Sequence, residues 1–319
     1  MEDRTPMEST RIGVDVDIVE VSPRDGIQNE ATLLSTEAKV ELVERAVAAG
    51  ITRVEAASFA HPGRVPQMAD AEAVLHTLGQ PEGVAYSALV LNEKGYDRAL
   101  QSGVREINMV LTTTDTFAER NQGSTVDGLV EQWLRMAERA HADGIRPTVG
   151  VSLSFGCPYE GEVALERLLA VCERALDGRP AELGLADSIG CAVPTQVTER
   201  FGALAELVAA RGDDVVLRGH FHNTRNTGLA NAVAAVEAGV RRLDASIGGV
   251  GGCPFAPNAT GNIPTEDLAW MLERMGYRTG VDVDALIETA EWLGAQLGHE
   301  VPGLLTRARP FPQVAMAAG

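Results

Sequence analysis

Short runs of apolar residues alternate with longer segments of helical periodicity along most of this 319-residue chain. The short runs are rich in valine, isoleucine and leucine, as in the buried strands of a parallel sheet. The longer segments repeat apolar residues every three or four positions, and glycine follows several of them, as it often does at a helix end. The pattern predicts eight strands, at 17–21, 53–57, 84–91, 106–111, 146–153, 182–186, 214–221 and 241–245.

Each predicted strand is followed by a segment with the periodicity of a helix. Ser35 is a candidate N-cap of the first helix, and Pro66 is placed in the first turn of the second. The predicted helices lie at 39–49, 66–78, 93–102, 126–142, 162–176, 195–210, 228–238 and 265–275.

Strands that alternate with helices form a parallel sheet. The first strand is not followed by the GxGxxG motif of a dinucleotide-binding fold, and eight right-handed crossovers close naturally on themselves. The pattern therefore predicts an α/β fold, a (β/α)8 or TIM barrel, at residues 16–280. We expect residues 1–15 to form a flexible tail, and residues 281–319, with a helix at 284–297, to form a C-terminal appendage packed on the barrel.

The amino-acid composition indicates which kinds of partner this protein can bind and in which cellular compartment we expect it. A formal net charge of −18 and a pI near 4.7 argue against nucleic acids and anionic membranes as partners. The first ten residues lack the pattern of a signal peptide, and no apolar run reaches the ~20 residues that span a bilayer. No CxxC spacing occurs among the cysteines, which argues against structural zinc, and we expect a cytoplasmic protein with reduced thiols. The cysteines are Cys157, Cys172, Cys191 and Cys253.

Two histidines close the seventh predicted strand, in the sequence His220-Phe221-His222. Side chains two positions apart in a strand point to the same face, so both imidazoles would face one point at the strand end. This geometry suits a metal ion, because histidine is the commonest metal ligand. Two surface or hydrogen-bonded histidines would give the same short motif, so the interpretation depends on what else the chain brings to this point.

Oxygen donors are predicted at the same end of the barrel, where barrel enzymes place their chemistry. Asp25 follows the first strand, and Asn262 follows the eighth. A carboxylate, two imidazoles and an amide carbonyl, without thiolate, favour Mg²⁺ or Mn²⁺ over a tetrahedral structural zinc. Taken singly, Asp25 also fits a turn and Asn262 a helix cap.

Further polar residues recur at this end of the predicted strands, a pattern that solvent exposure of helix surfaces does not explain. After the eighth strand, glycines 248, 249, 251 and 252 lead to Cys253, without the Gly-Lys-Ser/Thr of a P-loop. This segment fits a mobile lid or a backbone-lined binding loop. Cys253 is either an ordinary loop cysteine or a thiol that transfers a proton. The other polar residues at the strand ends are Arg24, Gln28, Glu55, Ser152, Ser154 and Asp187.

Taken together, these segments resemble the 3-hydroxy-3-methylglutaryl-CoA lyases, a family of metal-dependent (β/α)8 enzymes. A Gly-Gly-Cys-Pro loop distinguishes these lyases from related condensing enzymes such as isopropylmalate synthase, which share the barrel and the HxH motif. The matching segments are 21–30, 58–59 with 65–70, 156–161, 187–190, 220–222 with 229–231, and 251–262, so the resemblance covers nearly the whole predicted barrel.

The resemblance implies a divalent-metal-dependent carbon–carbon lyase. Its substrate would be hydroxymethylglutaryl-CoA or a related 3-hydroxyacyl-CoA, cleaved by a retro-Claisen reaction to acetyl-CoA and a 3-oxoacid. The resemblance also implies a homodimer. The implied metal ligands are Asp25, His220, His222 and Asn262, and the implied catalytic residues are Arg24 for the enolate charge, Cys253 and Asp187 for proton transfer, and Glu55 as an acid in the site.

The chain leaves the family pattern directly after the two histidines. The family has Asp-Thr-Tyr-Gly-Gln there, whereas this chain has Asn223-Thr224-Arg225-Asn226-Thr227. Arginine binds carboxylates bidentately, so we expect a longer or more carboxylated acyl group, with Arg225 and Gln28 as candidate substrate-binding residues. Two alternatives stay open: a condensing acyltransferase of the isopropylmalate synthase type, and a barrel that binds a ligand without catalysis.

Overall fold

Eight parallel strands close into a barrel in a computed structural model that describes residues 15–252 and 261–311. The order around the barrel follows the chain, with the first strand hydrogen-bonded to both the second and the last, so the predicted (β/α)8 architecture is confirmed. A two-stranded antiparallel hairpin, formed by residues 156–157 and 161–162, lies outside the barrel. The strands are β1 Asp17–Glu20, β2 Arg53–Ser58, β3 Ala85–Val90, β4 Glu106–Thr112, β5 Arg146–Ser152, β6 Gly156–Cys157, β7 Gly161–Glu162, β8 Glu182–Asp187, β9 Val216–Phe221 and β10 Arg242–Ala245.

Helices follow the barrel strands and bury their apolar faces against them. Ser35 caps the first helix as predicted, since its hydroxyl accepts a hydrogen bond from the Ala38 amide at 3.2 Å. The helices are α1 Thr36–Ala48, α2 Ala71–Leu78, α3 Glu93–Gln101, α4 Asp115–Gln122, α5 Val126–Asp143, α6 Leu165–Leu176, α7 Pro194–Arg211, α8 Gly228–Glu237, α9 Thr265–Arg274, α10 Val283–Leu297 and α11 Leu305–Ala308.

Three local predictions are wrong, each for a local reason. Pro66 begins only a short 3-10 turn, and α2 starts at Ala71, because the Gln67 carbonyl, which would accept the Ala71 amide in a continuous helix, instead accepts a hydrogen bond from Lys39 of α1 at 2.5 Å. Helix α6 starts three residues later than predicted, since Gly161 and Glu162 are used in the hairpin. Helix α4 was not predicted, because it buries only Phe117 and Ala118 and so shows little apolar periodicity.

The interior of the barrel is charged at its N-terminal end. Glu182 of β8 accepts hydrogen bonds from Arg53, Arg146 and Arg242, the shortest of them 2.5 Å from Arg242. The guanidiniums hold the pKa of Glu182 below its usual range, although burial opposes this. Because each buried charge has partners of opposite sign, the network avoids the cost of an isolated buried ion.

The C-terminal segment packs beneath the glycine-rich segment that follows β10. Val301 lies against Gly248, and the Gly303 amide donates a hydrogen bond to the Gly248 carbonyl at 2.8 Å. Gly248 has a φ of 72°, a conformation that favours glycine.

Every helix in the described part of the chain is too short or too polar to span a lipid bilayer.

A buried acid, Glu266 of α9, supports this segment and should make stability depend on pH. Burial raises the pKa of Glu266 from 4.5 to about 8, although its carboxylate accepts a hydrogen bond from the Gly248 amide at 3.0 Å. The folded state therefore keeps a proton that the unfolded chain releases above pH 4.5. The stability that this proton provides is complete below that pH and is lost progressively as the pH rises to about 8.

We expect Glu266→Gln to remove this loss, because glutamine keeps the shape and an acceptor without titrating. The difference in Tm between the variant and the unmodified protein should grow in favour of the variant between about pH 5 and about pH 8. Thermal unfolding at a series of pH values measures it. A difference that stays constant across this range would show that Glu266 is not protonated in the folded protein.

Candidate active site

Asp25, His220 and His222 converge at the C-terminal end of the barrel, with ligand-type atoms of all three within 4.8 Å of one another. His220 is on β9 and His222 follows that strand directly. Phe221 between them points outward, where its ring packs 6.2 Å from Phe155 and 6.4 Å from Phe201, centroid to centroid. The predicted alternation along the strand is thus confirmed, and both imidazoles face the barrel axis.

Asp25 reaches this point from a tight turn after β1. Residues 22–26 form a single π-helical turn, which the buried Glu20 carboxylate fixes by accepting the Ser22 amide at 2.8 Å. At Gly26, a Cβ atom would lie 2.8 Å from the Ser246 hydroxyl, so only glycine fits here. Asp25 is therefore both a turn residue and a site residue, because the turn places its carboxylate beside the two histidines.

The two histidines differ in their surroundings and in their pKa. His220 Nδ1 lies 3.0 Å from Oδ2 of Asp244 on the neighbouring strand β10, and this bond raises the pKa of His220 despite opposing burial. Burial and the nearby His220 lower the pKa of His222 to about 4, so His222 is neutral at pH 7. A neutral imidazole has the free lone pair that a metal ligand needs.

Asn262 joins the group from the segment before α9. Its backbone pairs with that of His222 in an isolated β-bridge, and its side-chain nitrogen donates to Asp25 Oδ2 at 2.8 Å. The Asn262 side chain also packs closely against Gly251, since a Cβ atom on Gly251 would lie 2.7 Å from the same nitrogen. The side-chain amide of Asn262 is therefore beside the Asp25 carboxylate, with its nitrogen toward Asp25 in this structure, and its role as a fourth metal ligand stays a prediction.

Arg24 lies beside this group and is held by acids. Its guanidinium hydrogen-bonds to Glu55 of β2 and, through Nη1, to Asp25 Oδ1 at 2.5 Å. Glu55 also accepts a hydrogen bond from Asn108 at 2.8 Å and is fully buried. Glu55 is thus a partner of Arg24 in this structure, and the predicted neighbourhood of Arg24, Asp25 and Glu55 is observed.

Asp187 lies at the end of β8, the strand next to His220, and its carboxylate faces backbone amides. It accepts hydrogen bonds from Cys191 at 2.8 Å and Ala192 at 3.0 Å. Burial nevertheless raises the pKa of Asp187, since it outweighs these bonds. A carboxyl with a raised pKa close to a reaction centre is suited to take up and release a proton.

The other predicted site residues are placed differently. Gln28 is half-buried one turn after Arg24, and its buried side-chain oxygen has no partner among the described residues. Arg225 is exposed, and its Nη1 donates to the carbonyls of Ile189 and Gly190 at 2.8 and 2.9 Å. Cys253 lies outside the described residues, so its role stays a prediction.

The donor set fits a divalent ion. It combines one carboxylate and two imidazoles, with the side-chain amide of Asn262 next to the carboxylate, and this group of described residues includes no cysteine. His222 Nδ1 is buried without a hydrogen-bond partner among the described residues. The Asp25 carboxylate stays ionised, because Arg24 and the histidines lower its pKa against the effect of burial. Hard oxygen and imidazole donors of this kind suit octahedral divalent metals.

Two buried residues behind the site were not predicted from the sequence. Asp244 holds His220, and Arg218 holds Asp244 through one hydrogen bond and an ion pair. Each is a charged residue inside a predicted strand, and this is the signal in the sequence that could have found them. The strand pairing needed to see that they meet is visible only in the folded barrel.

Known proteins resemble this chain along nearly its whole length. The family model described as HMGL-like matches residues 15–293. The (R)-citramalyl-CoA lyase of Chloroflexus aurantiacus is 42% identical over 95% of this chain and 98% of its own. The hydroxymethylglutaryl-CoA lyase of Pseudomonas mevalonii is 38% identical over 89% of this chain and 93% of its own.

A solved structure agrees with the fold as a whole. The HMG-CoA lyase from Acinetobacter baumannii, in complex with coenzyme A and 3-methylmalate, superimposes with a TM-score of 0.89 and 36% identity, covering 96% of this chain and 99% of that one. Because the family model and these relatives cover both the barrel and the metal-type site, the chain belongs to the HMGL-like family and is an enzyme of the lyase class.

Proposed function

We propose that this lyase uses a divalent metal, Mg²⁺ or Mn²⁺, to cleave a 3-hydroxyacyl-CoA whose carboxylate is on the carbon that bears the hydroxyl group. The main support is the convergence of Asp25, His220 and His222 beside the Arg24 guanidinium. Citramalyl-CoA is the simplest substrate of this class that carries a methyl group on the same carbon. Its cleavage gives acetyl-CoA and a 2-oxoacid, whereas hydroxymethylglutaryl-CoA gives a 3-oxoacid.

The reaction is a retro-Claisen cleavage. A bound divalent ion would be held by Asp25, His220, His222 and Asn262, and would acidify the substrate hydroxyl and orient the carboxylate beside it. Loss of the hydroxyl proton allows a carbonyl to form there, and the bond to the α-carbon of the thioester breaks. The electron pair of that bond passes to the thioester as an enolate. A proton added to the α-carbon completes acetyl-CoA.

The residues of this chain supply the charge and the protons. Arg24 is buried, and Glu55 and Asp25 fix its orientation, so it can stabilise the enolate oxygen without reorganising. Asp187, whose pKa burial raises, is the candidate that takes the hydroxyl proton. Cys253 is the candidate that delivers a proton to the α-carbon.

The choice of acyl group rests on the segment after His222 and on the relatives. The relative with 42% identity is named for (R)-citramalyl-CoA, and the ligand 3-methylmalate in the similar structure is itself an α-hydroxy acid. In this chain the Asn223 side chain accepts the Gly228 amide at 3.1 Å and so caps α8. An uncharged amide beside His222 removes the negative charge that aspartate would add there, which favours a substrate carboxylate close to the metal.

Arg225 supports the proposal as a second contact for an anionic substrate. Its Nη1 is engaged by the carbonyls of Ile189 and Gly190, which fixes the guanidinium over the turn that follows Asp187. The remaining guanidinium N–H groups extend from an exposed side chain at the edge of the site. Gln28, with its buried oxygen, is the corresponding candidate on the Arg24 side.

A substrate comparison tests the proposal. Purified enzyme with Mg²⁺ or Mn²⁺ is given both enantiomers of citramalyl-CoA, and separately hydroxymethylglutaryl-CoA, and acetyl-CoA is measured together with the oxoacid. We expect kcat/KM to be higher for one citramalyl-CoA enantiomer, and Arg225→Tyr, matched by the exposed control Arg64→Tyr, to reduce this preference. Preferred turnover of hydroxymethylglutaryl-CoA would contradict the proposed acyl group. Release of free CoA from acetyl-CoA and a 2-oxoacid would indicate a condensing enzyme instead.

Cys253→Ala should lower kcat strongly and leave metal binding nearly intact, because the thiol is proposed to move a proton and not to hold the ion. A general acid contributes about 10²- to 10⁴-fold to a rate. Steady-state kinetics and a Mn²⁺ titration of the same preparation measure the two effects, with Cys172→Ala on α6 as the matched control. An unchanged kcat would remove the thiol from the mechanism.

A further inference from the structure

Arg218 lies directly beneath the candidate metal centre, two residues before His220 on β9. Only 7% of its surface is exposed. Its Nη2 donates a hydrogen bond to Asp244 Oδ2 at 3.0 Å, and its Nε lies 2.7 Å from Asp244 Oδ1 in an ion pair, so the guanidinium lies close to both carboxylate oxygens. A guanidinium has several N–H groups and can contact more than one carboxylate at once, whereas the ammonium of lysine is a compact point charge.

The same guanidinium reaches the acid behind Arg24. Arg218 Nη2 lies 3.6 Å from Glu55 Oε2, while Glu55 Oε1 accepts the hydrogen bond from Arg24. Asp244 in turn hydrogen-bonds to Nδ1 of His220 at 3.0 Å. One buried cation thus joins the two carboxylates that orient two different parts of the site.

We propose that Arg218 is a positioning residue, which holds Asp244 and Glu55 and thereby fixes the orientation of His220 and of Arg24. The inference rests on the proposed function in taking His220 as a metal ligand and Arg24 as the enolate partner. Without Arg218, the buried carboxylates of Asp244 and Glu55 would lose the positive charge that they share. Asp244 would then be free to leave His220, and Glu55 to draw Arg24 away from Asp25.

The outer partner of a metal-bound histidine usually contributes about 10- to 100-fold to metal affinity. Since Arg218 fixes that partner, we expect Arg218→Met to weaken Mn²⁺ binding by about 10-fold or more. Titration calorimetry of the full-length protein with Mn²⁺ measures the affinity without any substrate. The result therefore does not depend on which acyl-CoA is cleaved, and a failed substrate assay would leave it standing.

Arg242→Met is the matched control. Arg242 is an equally buried arginine that pairs with Asp17 at 3.1 Å and shares Glu182 with Arg218, but its described contacts do not include Asp244 or Glu55. A purely structural role for buried arginines predicts that both variants lose thermal stability and that neither loses Mn²⁺ affinity. The proposal predicts a loss of Mn²⁺ affinity for Arg218→Met alone.

Two further variants keep the test decisive if Arg218→Met does not fold. Arg218→Lys retains the charge but loses the guanidinium that contacts Asp244 and Glu55 together, and we expect it to weaken Mn²⁺ binding as well. In the double variant Arg218→Met, Asp244→Asn, the affinity should fall no further than in Asp244→Asn alone, because both changes break one linkage. Unchanged Mn²⁺ affinity in folded Arg218→Met or Arg218→Lys, or losses that add in the double variant, would overturn the proposal.

Discussion

Replacing His222 with alanine is expected to lower the affinity for Mn²⁺ by more than about 100-fold, which exceeds the loss caused by removing a residue that only hydrogen-bonds to a metal ligand. His222 is 4% exposed, and its lowered pKa keeps it neutral and ready to bind an ion at pH 7. Removing it leaves one imidazole beside Asp25 in the described cluster. Metal content after desalting, followed by Mn²⁺ titration, measures the loss.

The control for this variant is His76→Ala, which removes an exposed histidine from α2. It should retain the metal content and affinity of the unmodified protein. If His222→Ala retains them as well, the ligand set built on the two histidines is wrong, and the metal, if one is bound, lies elsewhere.

Arg24→Gln is expected to lower kcat by about 10²- to 10³-fold, the usual effect of removing one donor from a developing oxyanion. The same change should not weaken Mn²⁺ binding. Arg24 Nη1 lies 2.5 Å from Asp25 Oδ1 and competes with any ion for that carboxylate, so its removal should leave the affinity equal or higher. Kinetics with the preferred acyl-CoA and Mn²⁺ calorimetry separate the two effects.

A loss of Mn²⁺ affinity in Arg24→Gln, with kcat unchanged at saturating metal, would contradict this assignment. Arg24 would then organise Asp25 and take no part in the chemistry. Arg24→Lys is the graded comparison, because it keeps the positive charge but loses the planar fork that bonds Glu55 and Asp25 together. We expect its kcat to lie between those of the unmodified enzyme and Arg24→Gln.

The barrel and the centre of the site could be predicted because both depend on local patterns. Strand and helix periods repeat eight times, and the ends of parallel strands in a barrel meet on one face. Any polar residue at a strand end therefore falls near the others, and Asp25, His220 and His222 do so. The HxH spacing also predicts where the two histidine side chains point, since alternation along β9 turns Phe221 outward and both imidazoles inward.

The charged layer beneath the site could not be predicted, because it depends on register between strands distant in sequence. Asp244 meets His220 because β10 pairs with β9 in that register, and Glu55 meets Arg218 across the barrel. The sequence shows that Arg218 and Asp244 are charged residues in strands, but not that they meet each other or Glu55. The geometry of Arg225 was equally hidden, since its nearest acceptors are carbonyls of a turn after β8.

In the proposed mechanism, an ion held by Asp25, His220, His222 and Asn262 binds the hydroxy acid of the substrate. The most direct measurement is a crystal structure with Mn²⁺, coenzyme A and an α-hydroxy acid, located by the anomalous scattering of manganese. We expect one anomalous peak in contact with these four side chains and with both the hydroxyl and the carboxylate of the acid. Manganese bound away from the histidines, or an acid that binds without touching the metal, would contradict it.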